Sequence, residues 1–255
     1  MQSVKDTWTM TKRSFKHITR SIDTIITVVL MPIGLMLLFV YVFGGSFAGT
    51  GPKYINYVTP GIIVMTVASG ISYAAVRLSM DMQSGIINRF RTMPVAPSSI
   101  LGGQAMSSTL SNLLSCILVL AVAFAAGFRT SAGFGAWLAF VGILTLLTIA
   151  LTWMALFFGL LAKTMEGAGA FSYILLLLIF ISPTFVPTSS MTRSLRSFAN
   201  NQPMTPIVET MRSLLGTGTA GPKVWTAIAW IVGILVVMYI ASLSLYKRKT
   251  FVAAS

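Results

Sequence analysis

Acidic side chains are nearly missing from this sequence. Asp6, Asp23, Asp81, Glu166 and Glu209 are the five in 255 residues, and they are scattered singly. Magnesium takes hard oxygen ligands, so chemistry on magnesium pyrophosphates needs clustered carboxylates, which this spacing does not supply. Histidine and cysteine occur once each, as His17 and Cys116. With one of each and no H-E-x-x-H, no resident metal site is expected, and an intrachain disulfide is impossible. Cys116 lies inside an apolar run and reads as a packing residue. A phosphate-cradling G-x-x-x-x-G-K-[ST] loop is also missing, so the chain is not expected to hydrolyse a nucleotide by itself. The glycine pairs Gly44–Gly45 and Gly102–Gly103 are not followed by Lys-Ser/Thr and read as turn and helix-packing residues.

Charge as a whole is scarce, at 9% of residues, where soluble domains carry about 25%. The chain is therefore read as an all-α integral membrane protein. Six apolar runs are each long enough to cross a hydrocarbon core of about 30 Å at 1.5 Å per residue. They are Ile25–Gly44, Tyr57–Ser79, Ile100–Gly127, Phe134–Ala162, Ala168–Val186 and Val224–Tyr246. No Asp, Glu, Lys, Arg or His stands in the middle of any run. An ion-coupled carrier usually keeps such a group near the bilayer midplane, so energy for transport is expected from a partner. A passive channel is disfavoured because no polar or charged rings line the runs, and a membrane enzyme because no catalytic constellation is found.

What charge there is has one sign, with a formal net charge of +13. In this setting the basic residues face lipid headgroups rather than nucleic acid. With the N-terminus inside, twelve Lys and Arg fall on the cytoplasmic side and six outside, which places both termini in the cytoplasm of a multi-pass plasma-membrane protein. Residues 1–23 bring Val4, Trp8, Thr11, Phe15, Ile18 and Ile22 to one helical face, beside Lys5, Lys12, Arg13, Lys16 and Arg20. That pattern predicts an amphipathic interfacial helix in preference to a plain basic tail. His17 projects from its polar side.

Two connections stand out. In the cytoplasmic loop, residues 81–99, Ile86, Ile87, Phe90 and Met93 form an apolar stripe flanked by Arg89 and Arg91 and stopped by Pro94. Pro97 prevents helix continuation there, and Ser98 or Ser99 can cap the third span. A short helix held between two spans suits helix-in-groove docking on a soluble partner, with rest on lipid heads as the competing reading. The outer connections Gly45–Asn56 and Arg129–Gly133 read as turns. The last outer segment, residues 187–222, carries one short helical face at Met191, Leu195 and Phe198. A second lies at Ile207, Val208, Met211, Leu214 and Leu215. Too short to span, these suit a re-entrant pair in the outer leaflet or two helices lying flat on it.

The run G-I-I-N-R-F-R-T-M-P-V-A-P-S-S-I-L-G-G at Gly85–Gly103 resembles the cytoplasmic loop of type-2 ATP-binding-cassette (ABC) transporter permeases, closest to the daunorubicin-resistance branch of multidrug exporters. F-V-P at Phe185–Pro187, M-T-R-S-L-R-S-F-A at Met191–Ala199 and Q-P-M-T-P-I-V at Gln202–Val208 with Arg212 extend the likeness over nearly the whole chain. The resemblance implies a single permease domain, residues 1–255, with six spans, a leader helix and re-entrant helices between spans five and six. It implies a dimer with a second copy, and a separate nucleotide-binding subunit that holds ATP and magnesium, with no cofactor on this chain. Coupling to that subunit would fall on Gly85, Ile86, Ile87, Arg89, Phe90, Arg91, Met93 and Pro94. An extracellular gate would involve Pro187, Met191, Leu195, Phe198, Pro203, Pro206, Glu209 and Arg212. Thr188–Ser190 departs from many relatives, where an acidic or glycine-containing turn is common. The implied cargo is drug-like or amphipathic and lipid-like; lipid-linked polysaccharide or teichoic acid is the alternative.

Overall fold

The computed structural model describes residues 30–43, 51–83 and 97–252, which are helices joined by short turns. Helix α1, Met31–Leu38, continues as a π-helical turn over Phe39–Phe43. It is followed by α2 (Gly51–Gln83), α3 (Pro97–Ala125), α4 (Phe134–Leu161) and α5 (Met165–Ile181). Beyond a 3₁₀ turn at Thr188–Ser190 come two short helices, α6 (Arg193–Asn201) and α7 (Met204–Gly216), and then the long α8 (Val224–Val252). Among the described residues, four helices are long and apolar enough to cross a bilayer: Tyr54–Gln83, Leu101–Ala125, Phe134–Leu161 and Val224–Lys249. Met31–Val42 and Met165–Ile181 are shorter apolar helices.

The bundle is built around α2, which packs against α1, α3, α4, α5 and α7. Small residues let it do so. A Cβ on Gly159 of α4 would come within 2.6 Å of the Ala75 carbonyl oxygen, so the two backbones touch there. On the neighbouring face, Ser72 donates to the Gly169 carbonyl of α5 at 3.4 Å. Lipid tails are as apolar as leucine, so helix association in a membrane depends on this kind of close backbone contact. Helix α8 packs chiefly on α4 and leaves Trp225, Val232, Val236 and Ile240 exposed.

At one end of the bundle α2, α3, α4 and α8 share a second cluster of Leu78, Leu101, Ala105, Trp153, Leu156, Leu160 and Tyr246. Gln83 Nε2 reaches the Lys163 carbonyl at 3.4 Å, and Lys249 Nζ donates to the Leu160 carbonyl at 2.5 Å. The last turn of α8 thereby satisfies a carbonyl that α4 leaves open at its own end.

Several boundaries differ from those read in the sequence. The fifth apolar run does not stay helical to Val186: α5 stops at Ile181, and Ser182 is extended with φ −77° and ψ 167°. The cause is Pro183, whose ring disfavours helical backbone in the residue before it. The connection read as a turn over Gly45–Asn56 is already helical from Gly51. Pro97, Ser98 and Ser99 are all helical within α3, so neither serine caps it. The connection before α4 runs over residues 126–133, longer than the Arg129–Gly133 turn expected, because α3 stops at Ala125. The interfacial helix of residues 1–23 lies outside the described residues.

Candidate functional site

At the end of the bundle opposite that second cluster, the chain between α5 and the 3₁₀ turn is drawn into the core. Ser182, Pro183, Thr184 and Phe185 are all buried. The approach depends on a Pro-Gly pair in α2. Pro60 sits inside the helix and supplies no N–H, which loosens the ladder there. Gly61 follows, and a Cβ at that position would lie 2.3 Å from Thr184 Cγ2. Only glycine leaves room for the turn.

The carbonyls of this turn are taken up by side chains from other elements. Tyr57 of α2 donates its hydroxyl to the Pro183 carbonyl at 2.9 Å, and Tyr54 donates to that of Phe185 at 3.1 Å. Arg212 of α7 joins both partners. Its Nε donates to the Tyr57 carbonyl at 2.9 Å and its Nη2 to the Pro183 carbonyl at 2.6 Å, with Thr184 O a longer third acceptor at 3.4 Å. The guanidinium carbon stands 3.8 Å over the Tyr57 ring. Burial pulls the Arg212 pKa below its ordinary value, while Tyr57 and Glu209 push it back up. Phe185 completes the junction, stacking on Phe39 of the π-helical turn after α1 at 4.2 Å and on Phe180 of α5 at 5.0 Å.

Helix α7 is held at both ends. Gln202 Nε2 donates to the Leu178 carbonyl of α5 at 2.7 Å. At the other end, Thr130 and Ser131 of the α3–α4 turn donate to the carbonyls of Leu215 and Gly216. These are carbonyls that a helix C-terminus leaves without intrahelical donors. Between its ends α7 buries Ile207, Val208, Met211, Leu214 and Leu215 against its neighbours.

The residues expected at an outer gate are thus divided. Pro206 is buried, and Pro203, Glu209 and Arg212 are half-buried on or beside α7. Pro187, Leu195 and Phe198 are exposed and Met191 partly so, so the apolar face of α6 is not packed on the bundle; of α6 only Ala199 is buried. The departure at Thr188–Ser190 is held by Arg196, whose Nε donates to the Thr188 carbonyl at 3.0 Å and whose Nη2 donates to those of Ser189 and Met191. The expected coupling residues Gly85, Ile86, Ile87, Arg89, Phe90, Arg91, Met93 and Pro94 lie outside the described residues. Tyr57, Gly61, Pro183 and Gln202 were missed in the sequence, although the Pro60-Gly61 pair was a visible signal of close approach. Among the described residues no group of three His, Cys, Asp or Glu comes together. What the arrangement does is mechanical: one arginine ties α7, α2 and the turn after α5 into a clasp at one end of the bundle.

The ABC-2 type transporter family model matches residues 5–215. Among curated proteins, the chain is 29% identical over 241 residues to the daunorubicin resistance ABC transporter permease protein DrrB1 of Streptomyces coeruleorubidus, covering 92% of this chain and 83% of that protein. It is 22% identical over 248 residues to the probable doxorubicin resistance ABC transporter permease protein DrrC of Mycobacterium tuberculosis (strain CDC 1551 / Oshkosh), covering 97% and 90%.

Proposed function

Because the chain belongs to the ABC-2 type transporter family, we propose that it is the permease subunit of an ATP-driven exporter. A separate nucleotide-binding subunit supplies the energy, and the cargo is drug-like or amphipathic. The observation that carries this reading is the family match combined with the chain's own chemistry: spans free of mid-membrane charge and no phosphate loop. The two relatives named for daunorubicin and doxorubicin resistance support a drug-like cargo over a lipid-linked polysaccharide.

In this reading six helices cross the bilayer, α1 and α5 being the two short ones, and both termini are cytoplasmic. Two copies pair, and each docks a nucleotide-binding subunit through residues 81–99. The Arg212 clasp faces outside and closes that end of the path. Export then requires α7 to part from the turn after α5, so the clasp sets how readily the outer end opens. The test is co-expression of the tagged chain with a soluble ABC ATPase encoded beside it, followed by purification. Recovery of a stable complex whose vanadate-sensitive hydrolysis rises on adding daunorubicin supports the proposal; recovery of the chain alone, with no effect on the ATPase, contradicts it.

A further inference from the structure

Next to the clasp lies a recess of about 260 Å³, lined by Glu209, Thr210, Arg212, Ser213, Gly221, Pro222 and Lys223. Three features set it apart from an ordinary surface dimple. Thr210 is 1% exposed, and its hydroxyl has no hydrogen-bond partner. In apolar surroundings such an orphan is costly. Opposite charges meet at the rim, where Lys223 Nζ stands 2.7 Å from Glu209 Oε2 with both side chains part-exposed. An exposed pair of this kind contributes little stability and is easily exchanged for other counter-charges.

The third feature is depth. Gly221, Pro222 and Lys223 directly precede the candidate span Val224–Lys249, so the recess lies where the hydrocarbon ends. Trp225, 77% exposed on the first turn of that span, is a side chain typical of this interface. From it an exposed stripe continues through Val232, Val236 and Ile240 at helical spacing. A polar recess of mixed charge thus opens onto an apolar lane running down α8.

We propose that this recess binds the headgroup of a zwitterionic phospholipid carrying a primary ammonium, as in phosphatidylethanolamine, with its acyl chains along α8. The ammonium takes the place of Lys223 against Glu209, and the phosphate is received by Lys223 and the Thr210 hydroxyl. A choline headgroup has no N–H to offer Glu209, and an anionic glycerol headgroup brings no cation. Only the bilayer placement of α8 enters here, so failure of the export reading would leave this site untouched.

The test is native mass spectrometry of the delipidated full chain titrated with palmitoyl-oleoyl phosphatidylethanolamine, phosphatidylcholine or phosphatidylglycerol. The ethanolamine lipid should be retained about tenfold better than the others, the order expected for one charged hydrogen bond. Glu209→Gln should remove that preference and favour phosphatidylglycerol. Thr210→Val should weaken retention severalfold while leaving the melting temperature equal or higher, because it deletes a buried orphan. Glu166→Gln, an exposed carboxylate elsewhere, should behave as wild type. Equal retention of the three lipids, or indifference to Glu209→Gln, would overturn the site. So would displacement of the ethanolamine lipid by millimolar inorganic phosphate, which would mark a free-anion site instead.

Discussion

Replacing Arg212 should loosen one end of the bundle by an amount that can be worked from its contacts. The two short bonds, to the carbonyls of Tyr57 and Pro183 at 2.9 and 2.6 Å, are each worth about 1.5–3 kcal/mol as charged hydrogen bonds. The third, at 3.4 Å, adds little. Stacking on Tyr57 adds roughly 0.5–1 kcal/mol at a part-exposed position. Because Arg212 is half-buried, water can reach some of these groups, and about half of the sum survives. Arg212→Met should therefore cost about 2–4 kcal/mol. Arg212→Lys keeps the charge but replaces a planar fork with a single nitrogen, and should cost about 1–2 kcal/mol. The chain carries its own probe: Cys116 is the lone cysteine and is buried beside the Ile63 carbonyl, so a fluorogenic thiol reagent reports unfolding on heating. The expected order of melting midpoints is wild type, then Lys, then Met. If Met melts with wild type, the clasp does not hold the end; if Lys matches wild type while Met falls, charge and not the fork carries the effect.

Gly159→Val should cost roughly 1–3 kcal/mol or more and lower the same midpoint more than any surface change, since even a Cβ meets Ala75 O at 2.6 Å. Gly233→Ala, with nothing within 4 Å of the added carbon, should be neutral or stabilise by up to about 1 kcal/mol; equal losses for the two would refute the close-approach account. Phe90→Ala should weaken binding of the ATPase subunit or uncouple hydrolysis from export, because a buried aromatic anchor costs about 2 kcal/mol or more when truncated, with Arg91→Ala milder. Pull-down affinity beside substrate-stimulated hydrolysis decides that ranking. In a Cys116→Ala background, a cysteine at Ser190 should be labelled by an impermeant thiol reagent outside intact cells and one at Ser84 protected; the reverse pattern inverts the topology.

The long elements were legible in the sequence because hydropathy alone defines them: Phe134–Leu161 and the start at Val224 fall within a residue of the apolar runs. Helix ends were harder, since Pro60 lies inside a helix and Pro183 ends one, and only the neighbouring chain decides which. The clasp was half legible. Arg212 was picked out with the outer segment, but its acceptors are the backbone carbonyls of Tyr57 and Pro183, at 155 and 29 residues' separation. Carbonyls carry no sequence signature. The packing of α7 against the bundle and the exposure of α6 were equally hidden, because both helices present a short apolar face and only the tertiary fold covers one of them.

The most direct test of the central claim is ATP-dependent uptake of daunorubicin into inside-out vesicles containing this chain, its nucleotide-binding partner, or both. The permease account predicts vanadate-sensitive accumulation only when both are present with ATP. It also predicts loss of that accumulation when the partner's phosphate loop is disabled. Accumulation driven by this chain alone, or ATP hydrolysis by the purified chain without its partner, would contradict it.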